Sequence, residues 1–223
     1  GSTRESFPFV ADGLIGEPLL PQTIHTNGQV LRKIYINPGW NWISYNVELD
    51  DLSTDAFLAT LTNPDVNSII KSQTGFSQYA PALERWLGGV NALSNLTMYQ
   101  LRASQYDSIT LVGQTIDAIV PIPVSSGWNW IGYLPSRGLP VTDALSSLTS
   151  LNGDIVKGQF GFAQYVATVG WIGNLRTMSS PNGYQLRLST SDTLIYPDPN
   201  VSNLMGQVIS RNKFMALTGM KSA

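Results

Sequence analysis

Apolar and polar positions along the chain switch between two periods, and the switching happens twice. Val30 to Ile36 and Ile119 to Val124 are β-branched stretches that predict strands. Turn chemistry follows each, Asn37-Pro38-Gly39 in one case and Ser125-Ser126-Gly127 in the other, so each lead-in is expected to form a hairpin with the next strand. Between Trp40 and Val47, Trp40 and Trp42 share one face while Ile43, Tyr45 and Val47 share the other, because side chains alternate along a strand. Both faces are apolar, so this strand is expected at the centre of a sheet, buried on both sides.

Beyond it the period lengthens. Phe57, Leu58 and Leu61 fall on one helical stripe, as do Leu145 and Leu148. Thr54 and Thr142 are the expected N-caps, each followed by an Asp that complements the positive end of a helix. These helices are expected to be short, two to three turns at most, and to depend on packing. The segments Ile69 to Tyr79 and Ile155 to Tyr165 read as strand, glycine turn at Gly75 or Gly161, and strand. Tyr99 to Ser104 and Tyr184 to Ser189 alternate apolar with polar, and a further strand follows each.

The recurrence is a sequence repeat. Gly39-Trp40-Asn41-Trp42-Ile43 returns unchanged as Gly127-Trp128-Asn129-Trp130-Ile131, and Thr54-Asp55-Ala56 returns as Thr142-Asp143-Ala144, both 88 residues later. Ile69 to Tyr79 returns as Ile155 to Tyr165 with seven of eleven positions identical. Trp86-Leu87-Gly88 returns as Trp171-Ile172-Gly173, and Tyr99-Gln100-Leu101-Arg102 as Tyr184-Gln185-Leu186-Arg187. All six tryptophans occupy matched positions, and five blocks in the same order establish a duplication. The expected fold is therefore mostly β: two pseudo-symmetric repeats, each of about six short strands plus one short helix, packed together. Unit 1 spans residues 30–118 and unit 2 residues 119–199. Residues 1–29 and 200–223 read as the end of a preceding domain and the start of a following one, with strand character at Met215 to Gly219.

Composition narrows the function. Charged residues are 13% of the 223, against about 25% in an ordinary soluble domain. Uncharged hydrogen-bonding residues replace them, which suits a surface that works outside the cell or meets uncharged polar ligands. The net charge of −2 and the absence of a basic run argue against nucleic acid. The longest apolar stretch, Ala118 to Val124, is broken by Pro121 and Pro123 and is too short to span a bilayer. With no cysteine, neither a disulfide framework nor thiolate chemistry is available.

The repeat resembles tandem domains of large secreted or surface proteins of Bacteroidetes and related bacteria, which open on Gly-Trp-Asn-(Trp/Leu)-Ile-Ser. The matching residues are Gly39 to Ser44 and Gly127 to Gly132, then Trp86 to Gly88 and Trp171 to Gly173, and the closing strands Met98 to Arg102 and Gly183 to Arg187. Met98 departs from the pattern, where that family usually has Gly. The resemblance implies a secreted or cell-surface location and company with adhesion and polysaccharide-recognition modules.

Catalytic chemistry is not indicated. His25, the lone histidine, cannot supply a hydrolase triad without a nucleophile elbow or a cysteine. Glu84 has no counterpart in unit 2 that would make a repeated carboxylate pair for glycoside hydrolysis. Glu48, Asp50, Asp51 and Asp55 read as a solvated, helix-capping acidic loop rather than a calcium site, since unit 2 keeps only Asp143 there. The sequons at Asn95 and Asn200 matter only in a eukaryotic secretory pathway. No metal or cofactor is implied.

Recognition is a different matter. Lys71-x-Gln73-x-x-Phe76-x-Gln78-Tyr79 and its copy Lys157-x-Gln159-x-x-Phe162-x-Gln164-Tyr165 combine cations, amides and aromatic faces, the groups that bind hydroxyl-rich ligands. The same glutamines can instead satisfy backbone groups in a bulged strand or between the units. Trp40, Trp42, Trp128 and Trp130 are expected in the core, and Trp86 and Trp171, beside glycines, are expected to be exposed. The candidate ligand-binding residues are accordingly Lys71, Gln73, Gln78, Tyr79 and Trp86, with Lys157, Gln159, Gln164, Tyr165 and Trp171 as their twins. The expected function is a non-catalytic extracellular module that binds polysaccharide or a cell-surface glycan beside neighbouring domains of the same polypeptide. The alternative is a structural spacer or adhesin module with no small ligand.

Overall fold

Each repeat begins with a strand that bends. In the computed structural model, which describes residues 28–197, β1 (Val30–Ile36) and β2 (Gly39–Ile43) do not pair with each other. They run on through the corner at Asn37-Pro38 and pair with a second bent ribbon, β7 (Tyr99–Ala103) and β8 (Asp107–Thr115). Ile36 lies opposite Asp107 and Gly39 opposite Ala103, so both ribbons turn the corner together with one extra residue on the β7–β8 side. The hairpin expected from Asn37-Pro38-Gly39 is thus a bend between two sheets. Unit 2 does the same with β9 (Ile122–Val124) and β10 (Gly127–Ile131) against β16 (Tyr184–Leu188) and β17 (Asp192–Leu194).

The corner explains the middle of the repeated peptide. Gly39 and Gly127 take φ of +96° and +95°, a region that favours glycine. Asn41 faces inward and closes the bend with its amide, donating to the carbonyls of Asn37, Gly39 and Leu101 and accepting from the Asn37 N–H. Asn129 makes the same set with Ser125, Gly127 and Leu186. A buried Asn with its hydrogen bonds filled costs little, and here it sets the geometry of the turn.

The strands of unit 1 form a three-stranded sheet, β1-β8-β3, and a five-stranded sheet, β2-β7-β4-β5-β6, where β3 is Val47–Glu48, β4 Ile69–Lys71, β5 Phe76–Ala80 and β6 Arg85–Gly88. The hairpin expected at Gly75 is β4–β5. Unit 2 repeats the larger sheet as β10-β16-β12-β13-β14, with β12 at Ile155–Lys157, β13 at Phe162–Val166 and β14 at Gly170–Gly173. Two further short strands, β11 (Leu139–Pro140) and β15 (Thr177–Met178), pair beside it. In each unit the core lies between the larger sheet and the smaller one. Ile34, Ile36, Ile109 and Leu111 meet Ile43, Ile70, Tyr99 and Leu101 in unit 1, and Ile122, Val124 and Leu194 meet Ile131, Val156 and Leu186 in unit 2.

Each unit has one helix of a single turn, α1 (Thr54–Phe57) and α2 (Val141–Ala144). The caps differ from those expected. Ser53 caps α1 by accepting from the Ala56 N–H, while the Thr54 hydroxyl donates to the buried carbonyl of Val90. α2 starts after Pro140 with no side-chain cap. These turns persist because Phe57, Leu58 and Leu145 are buried, as short helices require.

The units interlock through a reciprocal contact. β2 is an edge strand, not the central strand its two apolar faces suggested, and unit 2 covers its free edge. Gln159 donates to Trp40 O and accepts from Trp42 N, at 2.7 and 2.8 Å, Gly183 N donates to Trp42 O, and Ser44 N donates to Pro181 O. Unit 1 returns the same contacts to β10. Gln73 bonds Trp128 O and Trp130 N, both at 2.8 Å, the Thr97 hydroxyl donates to Trp130 O, and Gly132 N donates to Leu96 O. An exposed sheet edge invites further pairing, and this arrangement closes both edges at once. The pseudo-symmetry also accounts for Met98. It is fully buried at the position equivalent to Gly183, and a Cβ on Gly183 would collide with the Met98 Cβ. One side chain fills a space that two would overfill.

Candidate functional site

Backbone register decides which repeated residues share a surface. In unit 1, Trp40 lies opposite Arg102, Arg102 opposite Ile69, Ile69 opposite Gln78 and Gln78 opposite Leu87. One step along the strands, Trp42, Gln100, Lys71 and Phe76 form a second row. Their neighbours in sequence, Asn41, Ile43, Leu101, Ile70, Ser77 and Trp86, are buried, so these two rows make up the outer face of the five-stranded sheet. Unit 2 builds the same rows from Trp128, Arg187, Ile155, Gln164 and Ile172, and from Trp130, Gln185, Lys157 and Phe162.

Trp40, Trp128 and Trp86 therefore lie in reverse of the expectation, and the other three tryptophans are half-buried. Trp40 and Trp128 are 36% and 40% exposed, and Trp42 and Trp130 are half-buried on the same outer face. Trp86, expected outside, is 7% exposed in the core, with its ring 5.5 Å from that of Tyr79. Its backbone N–H donates to Asp55, so the carboxylate that stands in the first turn of α1, as expected, also holds β6. Trp171 is half-buried against the unit 2 core, 5.6 Å from Tyr165. Parity along the strand separated the two faces of the Trp motif. It could not say which faced the core, because the inward row carries a polar Asn.

The ten candidate residues fall into three groups. Lys71, Gln78, Lys157 and Gln164 stand on the outer faces. Gln73 and Gln159 lie at the hairpin tips and are engaged between units. Tyr79, Trp86, Tyr165 and Trp171 pack inward. Sequence reasoning missed Trp40, Trp42, Gln100 and Arg102 and their twins as surface partners. The signal was present in the alternation of Tyr99-Gln100-Leu101-Arg102, whose polar positions share the parity that pairs with Trp40 and Trp42.

The face is aromatic, amide-bearing and cationic. The Lys71 ammonium stands 4.6 Å from the centre of the Trp40 ring, and Lys157 stands 4.7 Å from that of Trp128. Such contacts contribute about 0.5–1 kcal/mol where exposed, and they orient the ring on the sheet. Phe76 and Phe162 are 55% and 49% exposed. Gln78 donates through its amide N–H to Val66 O, which leaves its side-chain carbonyl as an acceptor. Beside it an open groove of about 490 Å³ is lined by Val66, Phe76, Gln78 and Leu87.

Asp51 is fully exposed and its carboxyl lies below the usual range because the Ser53 N–H donates to it. Among the described residues, no group of three or more His, Cys, Asp or Glu side chains is arranged to hold a metal ion. Compared with models of protein families, with curated proteins and with solved structures, the chain matches none of them.

Proposed function

We propose that this chain is a non-catalytic, extracellular glycan-binding module in which polysaccharide lies across the outer faces of the two five-stranded sheets. One observation carries the reading. At Trp40/Trp128, Trp42/Trp130, Ile69/Ile155, Lys71/Lys157, Phe76/Phe162, Gln78/Gln164, Gln100/Gln185 and Arg102/Arg187 the two repeats are identical, and Leu87/Ile172 differs by a methyl position. Most inward positions on the same strands are identical too, with changes at Ile70/Val156, Ser77/Ala163 and Ala103/Leu188, and the outer positions Ala80/Val166 and Arg85/Gly170 at the far edge have changed. Solvent-facing residues on a scaffold are the freest to vary, so identity there supports a shared contact. Flat aromatic faces beside amides suit sugar rings, which stack and hydrogen-bond together. Two copies of one face would add avidity for a polymer. The likeness of Gly39 to Ser44 and Gly127 to Gly132 to domains of secreted bacterial proteins agrees with a surface location.

The test is a polysaccharide microarray probed with the chain and with a Trp40→Ala, Trp128→Ala variant. Binding that the variant loses while its melting temperature stays within a few degrees supports the reading. The second reading, a spacer with no small ligand, draws on Gln73 and Gln159 being engaged between units and Trp86 being buried. A blank array would favour it.

A further inference from the structure

We infer that the glycan recognised by this face is acidic, a polymer bearing uronate carboxylates; the inference rests on the glycan-binding reading and specifies its ligand. None of the ten strands in the two five-stranded sheets contains an Asp or Glu, although the chain has 15 of them. The same strands carry Lys71, Arg85, Arg102, Lys157 and Arg187, five of the 13 Lys and Arg in a chain of net charge −2. Positive charge is concentrated where carboxylates are missing.

These cations are not consumed by the fold. Lys71 and Lys157 rest over tryptophan rings, which leaves their charge unneutralised. The side chains of Arg102 and Arg187 have no hydrogen-bond or ion-pair partner among the described residues. Each arginine lies directly across the strand pair from a tryptophan, Trp40 or Trp128, at a backbone spacing of about 5 Å. A sugar ring stacked on the indole would hold an exocyclic carboxylate over the neighbouring strand, within reach of the guanidinium. Arginine presents two parallel N–H donors to a carboxylate, a geometry that a neutral hydroxymethyl group cannot fill. Gln100 and Gln185, one row along, supply donors and acceptors for ring hydroxyls. Both repeats keep the tryptophan, lysine, arginine and glutamine at these positions, while Arg85 is replaced by Gly170 in unit 2.

The experiment compares polyuronates with the same backbones made neutral. Polygalacturonate, alginate and hyaluronan are titrated against the full chain beside their methyl esters, with neutral xylan and dextran and a single-stranded oligonucleotide as further probes. At least one polyuronate is expected to bind tenfold or more tightly than its ester and to weaken about tenfold between 20 and 200 mM salt. Arg102→Gln with Arg187→Gln should abolish the preference for the charged form, and Arg102→Lys with Arg187→Lys should restore part of it. Esters or neutral polymers that bind as well as every polyuronate would overturn the acidic ligand and leave glycan binding intact. An oligonucleotide that binds more tightly than any polyuronate would also overturn it. No binding by any polysaccharide would remove the glycan reading and this inference together.

Discussion

Each repeat turns two sheets toward solvent, and their outer faces have diverged by very different amounts. On the larger sheet, Trp40, Trp42, Lys71, Phe76, Gln78, Gln100 and Arg102 recur at equivalent positions without change, and the changes, Ala80/Val166, Arg85/Gly170 and Leu87/Ile172, lie at the far edge. On the smaller sheet, Lys33 and Tyr35 of unit 1 correspond to Pro121 and Pro123 of unit 2, and Ser108 and Thr110 to Thr193 and Ile195. Both faces see water and share one fold, so folding alone does not account for the difference. What the smaller sheet retains is its inward row, Ile34 with Ile122 and Ile109 with Leu194, because the core needs apolar volume there and nothing more specific. The larger sheet retains identities outside from the Trp strand to Phe76 and Gln78, where chemistry rather than volume is at stake.

The sharpest way to separate inward from outward roles is Trp86→Ala. It removes a core indole and the ring contact to Tyr79, and large-to-small changes of this kind cost about 3–5 kcal/mol. Calorimetry should show a fall in melting temperature larger than that of any surface variant. Trp40→Ala with Trp128→Ala should reverse the balance, with stability lowered by only about 1 kcal/mol as the exposed cation–π contacts go. Polysaccharide affinity measured on the same samples should drop tenfold or more. Equal losses of stability in the two experiments would erase the distinction between the faces.

Gln73→Ala with Gln159→Ala probes the tie between the units. Each glutamine makes two exposed hydrogen bonds to the partner's edge strand, and net contributions near 0.5 kcal/mol apiece give about 1 kcal/mol per residue. Urea unfolding should shift its midpoint modestly and remain a single transition, since Met98 and the Ser44–Pro181 and Gly132–Leu96 bonds still join the units.

Acid gives a smaller effect of known sign. Burial tends to raise the Asp107 carboxyl, but hydrogen bonds from Ser108, Asn63 and Thr62 hold it below the usual range, and Thr149 and Thr193 do the same for Asp192. A carboxyl depressed in the folded state stabilises the fold above its unfolded value, near 4, and that stabilisation is lost as pH falls through the lower folded value. The melting temperature should hold from pH 7 to about 4 and decline below. Asp107→Asn with Asp192→Asn should flatten that decline. The smallest expected effect is Tyr35→Ala, on the divergent face, which should leave polysaccharide binding unchanged and stability within about 0.5 kcal/mol. A loss of binding there would move the ligand to the other sheet.

Much of this architecture follows from local chemistry. The duplication, the β character of each unit, the β4–β5 hairpin at Gly75 and the alternation in Tyr99-Gln100-Leu101-Arg102 are all written in short segments, because period and turn residues act over a few positions. Tertiary structure decided the rest. Asn37-Pro38-Gly39 has the chemistry of a turn whether it ends a hairpin or bends a strand, and the pairing of β1 with β8, some 70 residues away, makes it a bend. The apolar rows of the Trp strand are equally hydrophobic, and the inward amide of Asn41, satisfied only by the corner it closes, turns Trp40 and Trp42 outward. Gln73 and Gln78 have the same side chain. One reaches a neighbouring unit from the hairpin tip and the other stands on an open sheet, a difference that only the register of assembled strands creates.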